Sequence, residues 1–281
     1  MKLIFIRHAE PYYEKDSLTE KGFREAELLA KRTRDWTVTQ FYCSPLGRAQ
    51  ATAMPTLNDH HVTLTHRYPE NPSDVIEYAP DPSKAIVYPW LREFAASVDP
   101  SMHPGNVPIP WDFTPEYLNA NPLLFDPAHW QEAPIFLGRD VKMQYDWATT
   151  RLDELLSIYG YQLDGYAYST NGSKKPTDSY MKYDGHTLDY MKDADTDEPV
   201  LVFFCHLGIM MVLLSHLLNT SPFALLHGLF VAPSSVTVLC AEERVPGHAY
   251  FRAQMIGDTY HLHTAKEPVS FYGSFDAPFQ F

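Results

Sequence analysis

Two histidines follow short apolar runs. Leu3–Ile6 leads into Arg7-His8-Ala9-Glu10, and Val200–Phe204 leads into Cys205-His206-Leu207-Gly208. Unbroken apolar runs of this length suit strands buried on both faces, as in a parallel sheet. Ligands of open α/β sheets sit outside the carboxyl ends of the strands. Two such strands ending in histidine would direct both imidazoles into one crevice. Arg7 adds a fixed positive charge beside His8. Arg48 falls in the first turns of a predicted helix after the short run Phe41–Cys43, so it can face the same crevice. Two guanidiniums, two imidazoles and nearby helix N-termini make a site for a dianion such as a phosphate group. Neutral imidazole is also a good nucleophile near neutral pH.

The elements that must carry these groups alternate. After the first strand, Thr19 is a helix N-cap candidate, and Phe23, Ala26, Leu29 and Ala30 form one stripe. Ser44-Pro45 offers a second N-cap with proline at the first helical position, and Gly47–Ala53 continues as helix. Between Pro69 and Pro134 prolines are frequent and periodicity is poor. Trp90, Trp111, Leu123, Leu124 and Trp130 need burial there, so this stretch reads as an insertion of loops and short helices rather than a linker. Over Arg139–Tyr159, Val141, Tyr145, Ala148, Leu152, Leu155 and Tyr159 keep helical spacing. Asp164-Gly165 between alternating residues signals a hairpin. The polar stretch 170–198 reads as an exposed loop. Gly208–Leu218 is a helix, and Ser235–Cys240 and Tyr250–Ile256 are later strands. The pattern predicts one α/β domain over residues 1–281: a three-layer α/β/α sandwich, its sheet largely parallel, with helices on both faces.

These residues resemble the histidine phosphatase superfamily, also called phosphoglycerate mutase-like. Arg7-His8-Ala9-Glu10 is similar to its Arg-His-Gly signature. Leu18-Thr19-Glu20-Lys21-Gly22 resembles its Leu-Thr-x-x-Gly helix start, and Ser44-Pro45-Leu46-Gly47-Arg48-Ala49 its Ser-Pro-x-x-Arg-Ala segment. Val200–Gly208 resembles its strand with the second histidine and glycine, and Pro233–Leu239 its late strand. The order matches over about residues 1–60 and 140–260. The resemblance implies a phosphomonoesterase acting on a small phosphorylated metabolite. His8 would be the nucleophile, and Arg7, Arg48 and His206 would hold the phosphoryl oxygens. Pro89-Trp90-Leu91-Arg92-Glu93 resembles the segment presenting the general acid, which points to Glu93, with Glu70, Glu77 and Asp99 in the same insertion as alternatives. No metal or other cofactor is required, since the arginines supply the positive charge.

Three positions depart from the family pattern. Ala9 replaces the usual glycine. Leu207 follows His206 where glycine or alanine is common, and where the acid phosphatase and phytase branch has aspartate. Glu14 stands where the mutases of the family carry asparagine, so a phosphatase of the short-motif branch is expected. A phosphoglycerate-type mutase and an inactive phospho-ligand-binding protein are the alternatives. The insertion over 94–138 is expected to form a lid that sets specificity. His60-His61 and His261-Leu262-His263 lack partners at metal-ligand spacing and read as turn and strand residues. Arg67 and Arg139 could touch substrate. The tyrosines Tyr159, Tyr161, Tyr166 and Tyr168 read as packing.

Composition bounds the partners. Twenty-two basic against 35 acidic residues give a net charge of −13, which argues against general binding of nucleic acid or anionic membranes. Hydrophobic residues at 45% suffice for a sizeable core. The four-residue apolar run at the N-terminus is far too short for a signal peptide, and no stretch has the roughly 18 residues of a membrane span. Cys43, Cys205 and Cys240 have no metal-type spacing and read as reduced buried thiols, which predicts a cytoplasmic protein. The oligomeric state is open.

Overall fold

The computed structural model describes residues 1–66, 80–94, 96–170, 198–245 and 247–280. In chain order the first elements are β1 (Lys2–Arg7), β2 (Pro11–Tyr12), β3 (Ser17–Leu18), α1 (Glu20–Thr33), β4 (Gln40–Cys43), α2 (Gly47–Asp59), β5 (Thr63–His66) and β6 (Lys84–Val87). The insertion carries α3 (Pro115–Ala120). Then come α4 (Val141–Ile158), β7 (Tyr161–Asp164), β8 (Ala167–Thr170), β9 (Val200–Cys205), α5 (Leu207–Leu217), α6 (Pro222–Gly228), β10 (Val236–Val245), β11 (His248–Asp258) and α7 (Tyr260–Ala265).

One nine-stranded sheet has the order β5-β6-β4-β9-β1-β10-β11-β8-β7. The strands β5, β6, β4, β9 and β1 pair in parallel, and from β10 to β7 every pairing is antiparallel. The period-2 alternation of β1 divides the core. Leu3 and Phe5 face one side with Phe203 of β9 and the apolar faces of α4 and α5. Ile4 and Ile6 face the other with Val202, Phe204, Leu29 of α1 and Ala53 and Leu57 of α2. Helices thus cover both faces, and the strands at the centre are apolar throughout for that reason.

Several local expectations change in the tertiary setting. Thr19 caps α1, its hydroxyl accepting from the Gly22 amide at 3.0 Å, but Phe23 at the head of the predicted stripe is 48% exposed. Helix α2 starts at Gly47 after Leu46, and the Ser44 hydroxyl is not its cap. That helix runs on through Pro55 to Asp59, beyond the predicted end. Strand β6 lies inside the stretch that lacked periodicity, because both its faces are buried and it has nothing to alternate. His261 and His263 sit on the short helix α7, not on a strand. In the hairpin β7–β8, Tyr161 and Tyr168 are buried while Tyr166 at the turn is 83% exposed. The predicted loop 170–198 falls almost wholly outside the described residues, as do Arg67, Glu70 and Glu77.

The insertion shares the main core. Trp90, Leu124 and Trp130 are buried, and Trp130 and Phe136 pack their rings on Phe223 of α6, with centroids 5.3 and 4.9 Å apart. Two histidines tie its middle down: His103 Nε2 donates to the Trp111 carbonyl at 2.6 Å, and the Phe113 amide donates to His227 Nε2 at 3.1 Å.

Candidate active site

Strand register sets the floor of the crevice. Arg7 of β1 is opposite Cys205 of β9, so His8 and His206 leave the sheet side by side. The His8 amide continues the ladder to the Cys205 carbonyl at 2.9 Å. The two rings lie 5.1 Å apart, tilted by 55°. On the other flank of β9, Cys43 of β4 pairs with Phe204, which brings Ser44 level with His206. The Ser44 hydroxyl hydrogen-bonds His206 Nε2 at 2.7 Å.

The His8 ring is held in one tautomer. Its Nδ1 is 2.8 Å from the Ala9 carbonyl, which can only accept, so Nδ1 carries the proton and donates. A neutral ring then has its lone pair on Nε2. Burial, followed by the charges of Arg7 and Arg48, keeps the His8 pKa well below that of an ordinary histidine. His206 is likewise kept neutral, by burial first and then by His8, Arg48 and Arg7. The next residue is fixed from α2: the Ala9 amide donates to Thr52 Oγ1 at 2.9 Å, and that hydroxyl donates to the Arg48 carbonyl at 2.8 Å.

Both arginines are anchored at one end. Arg7 Nη1 donates to the Val231 carbonyl at 2.7 Å. Arg48 Nη1 pairs with Asp16 Oδ1 at 2.7 Å, and Asp16 Oδ2 accepts from the Gly47 amide at 2.6 Å. A Cβ on residue 47 would come within 2.3 Å of the Asp16 carbonyl oxygen, so glycine is needed for the Asp16 loop to dock there. The Arg48 guanidinium lies over the Tyr13 ring, 5.4 Å from its centroid. Among the described residues, Arg7 Nε, Arg48 Nε and His206 Nδ1 are buried without a hydrogen-bond partner. Such orphans are uncommon in folded proteins, and three on neighbouring cationic or imidazole groups suit an oxyanion.

Glu93 joins this group from the insertion. Its Oε1 accepts from the Phe94 amide at 2.9 Å and from the Ile209 amide at 3.2 Å, which caps the N-terminal turn of α5. A Cβ on residue 208 would meet that oxygen at 2.7 Å, so Gly208 makes room for the carboxylate. Burial raises the Glu93 pKa, against the opposing pull of the two amides, Arg48 and Arg7. All five predicted residues, Arg7, His8, Arg48, Glu93 and His206, therefore meet in one place. The alternative Asp99 lies outside it, bonded to Ser101 and paired with Arg139 at 3.0 Å. Arg139 is thereby accounted for away from the crevice.

Some contributors carry no readable signal in the sequence. Ser44 has the form of an N-cap, and Asp16 is one polar residue in a run of them. The C-terminal segment is the largest omission. A Cβ on Gly273 would lie 3.2 Å from Arg7 Nη2 and 3.5 Å from a Leu207 methyl carbon. Tyr272 meets Tyr13 edge-on, with centroids 6.1 Å apart. On the insertion side, Phe94 and Trp111 stand 3.2 and 3.3 Å from the same Gly208 Cβ position. Under this cover His8 is 1% exposed and Arg7 3%.

Among the described residues, no group of three or more His, Cys, Asp or Glu side chains could hold a metal ion. Within the same residues no helix is long and apolar enough to cross a membrane.

Residues 3–68 match the family model of the histidine phosphatase superfamily (branch 1). No curated protein matches the sequence. Among solved structures, the chain is similar to mycobacterial hydrolase 1, with 15% identity over 92% of this chain and 98% of that one, and a TM-score of 0.50. Mycobacterial hydrolase 2 shows 16% identity over 91% and 90%, also with a TM-score of 0.50. A phosphoserine phosphatase from Entamoeba histolytica, in complex with phosphoserine, shows 15% identity over 93% and 98%, with a TM-score of 0.49. The likeness to the histidine phosphatase superfamily model is thus carried by residues 3–68, and over most of the chain the two mycobacterial hydrolases share its fold.

Proposed function

We propose that this protein is a phosphomonoesterase that works through a phosphohistidine at His8. The observation that carries the reading is the state of that ring: neutral, its proton held on Nδ1 by the Ala9 carbonyl, and set between two arginines beside a second neutral histidine. Nε2 attacks phosphorus in line. The N–P bond forms as the ester P–O bond breaks, and Arg7, Arg48 and His206 stabilise the charge on the equatorial oxygens. Protonated Glu93 gives its proton to the leaving alkoxide, and its raised pKa favours that form. Water then attacks phosphorus, Glu93 takes up the proton, and the N–P bond breaks to release phosphate.

The near-complete burial of His8 and Arg7 favours small phosphate esters over folded phosphoproteins. The insertion over 94–138 acts as part of the cover, with Phe94 and Trp111 beside Glu93. The three cysteines are free and buried, which supports a cytoplasmic setting. The test is rapid quenching with p-nitrophenyl phosphate, followed by mass analysis. An acid-labile phosphoryl group on His8 is expected. Turnover without one, or full turnover by His8→Ala, would contradict the reading.

A further inference from the structure

The backbone around Arg7 and His8 is held by a loop that runs from α6 into β10. Val231 accepts from the Arg7 guanidinium at 2.7 Å, the Ser235 carbonyl accepts from the Arg7 amide at 3.3 Å, and the Ser234 amide donates to the His8 carbonyl at 3.2 Å. Ser234 is fully buried and sits at φ +59°, the left-handed region that a residue with a Cβ seldom adopts without support.

The support comes from α7 and α1. Ser234 Oγ lies 3.1 Å from His261 Nε2. On the other side of that ring, Arg32 Nη1 lies 3.4 Å from Nδ1. Arginine can only donate, so Nδ1 accepts and Nε2 carries the proton toward Ser234. Arg32 is itself fixed by Asp258 at 2.5 Å. The ring is held neutral, its pKa pushed down to about 3 by burial and then by Arg32, against the opposing pull of Asp258. A line of hydrogen bonds thus runs from a partly exposed ion pair to the carbonyl of the nucleophile's own residue. The motif His261-Leu262-His263 has a use here that its spacing does not show.

We propose that His261 is a positioning residue: with Arg32 it locks Ser234 in the left-handed turn, and through that turn it sets the His8 ring. The proposal rests on His8 being the nucleophile. Four variants test it: His261→Leu, which removes the donor; His261→Gln, which keeps one; Ser234→Gly; and the Leu/Gly double variant. Rates on p-nitrophenyl phosphate are divided by the number of active sites, counted from the phosphohistidine burst. His261→Leu is expected to lower kcat per site about 10-fold with KM little changed, as misplacement of a reacting group does. His261→Gln should restore most of that rate. Glycine adopts the left-handed turn unaided, so the Leu substitution should cost little in the Ser234→Gly background.

A purely structural role for His261 would lower the number of active sites and leave the rate per site unchanged. That result, or an equal penalty for Leu and Gln, overturns the proposal. An arm independent of turnover follows the ¹⁵N signals of the His8 ring by NMR. They should shift in His261→Leu and stay in place in His261→Gln. Unmoved His8 signals in the Leu variant overturn the positioning role. A wild-type enzyme without a burst overturns only the phosphohistidine reading and leaves the NMR arm to decide. If His261→Leu does not fold, Arg32→Met removes the donor to Nδ1 and takes its place in both arms, with a smaller loss expected, about 3-fold.

Discussion

The floor of the crevice and its walls are built from different material. His8, Ser44 and His206 emerge from three adjacent strands, β1, β4 and β9, whose register leaves each a single position. The walls are Tyr13, Phe94, Trp111 and Tyr272–Gly273, all from loops or short turns. A group on a paired strand cannot move without breaking several ladder bonds. Loop segments yield more readily, since fewer backbone bonds tie them to the sheet. Under the proposed chemistry the floor supplies rate, and the walls decide what reaches it.

Substitutions should separate the two regions. The largest effect is expected at the floor: His8→Ala should lower kcat/KM on p-nitrophenyl phosphate by about 10⁴-fold or more, with the circular dichroism spectrum unchanged. Glu93 stands where floor and wall meet, and it should split by substrate. Glu93→Gln should cost about 10² to 10⁴ on an alkyl phosphate, whose alkoxide needs the proton, and much less on p-nitrophenyl phosphate. Equal losses on both would make Glu93 a cap of α5 and nothing more. Arg48→Gln should cost about 10² to 10³ in kcat on both substrates, because its charge acts on the phosphoryl group and not on the leaving group.

At the wall, Tyr272→Leu removes the ring that meets Tyr13 edge-on. KM should change by up to about 10-fold while kcat stays within about 3-fold, a pocket effect. A loss of kcat matching that of Arg48→Gln would place the C-terminal segment in the chemical machinery and end the distinction. The smallest effect concerns stability against pH. His8, His206 and His261 are all depressed below the ordinary histidine value. The unfolded chain therefore binds more protons as pH falls through about 6.5. Stability present above that pH is lost toward acid, and for His261 the loss continues down to its folded value of about 3. Buried Glu25, its pKa raised to about 7, acts in the opposite direction, so the histidine share is read between variants: Tm at pH 8 minus Tm at pH 5 should be about 3 °C larger in the wild type than in His261→Leu, and an equal difference would contradict a buried neutral ring at His261.

Much of the floor was legible in the sequence, and the reason is local. Leu3–Ile6 and Val200–Phe204 are apolar throughout because both faces of the sheet are covered, and each histidine follows its run directly. Thr19 could be read as a cap from its place before a helical pattern, and its hydroxyl does accept from Gly22. Ser44 shows only half of its role for the same kind of reason. A serine before proline has the form of a cap, and its hydroxyl does accept from the Leu46 amide at 3.2 Å, but the helix starts only at Gly47, and because β4 is paired on β9 the same hydroxyl also bonds His206. Strand β6 was hidden because it is buried and four residues long, which leaves no period to see.

Residue type and order by themselves determined which groups this chain brings to the crevice: two histidines and two arginines at the ends of predicted strands or the start of a helix, and one glutamate in an aromatic setting. These properties belong to short segments, and short segments show their own hydrophobic pattern. What covers the site was decided only in three dimensions. Gly273 is 266 residues from Arg7, and His261 is 253 from His8. Neither pair shares a periodicity, a cap or a turn, and a contact between segments so far apart leaves no mark on either until the sheet has brought them together.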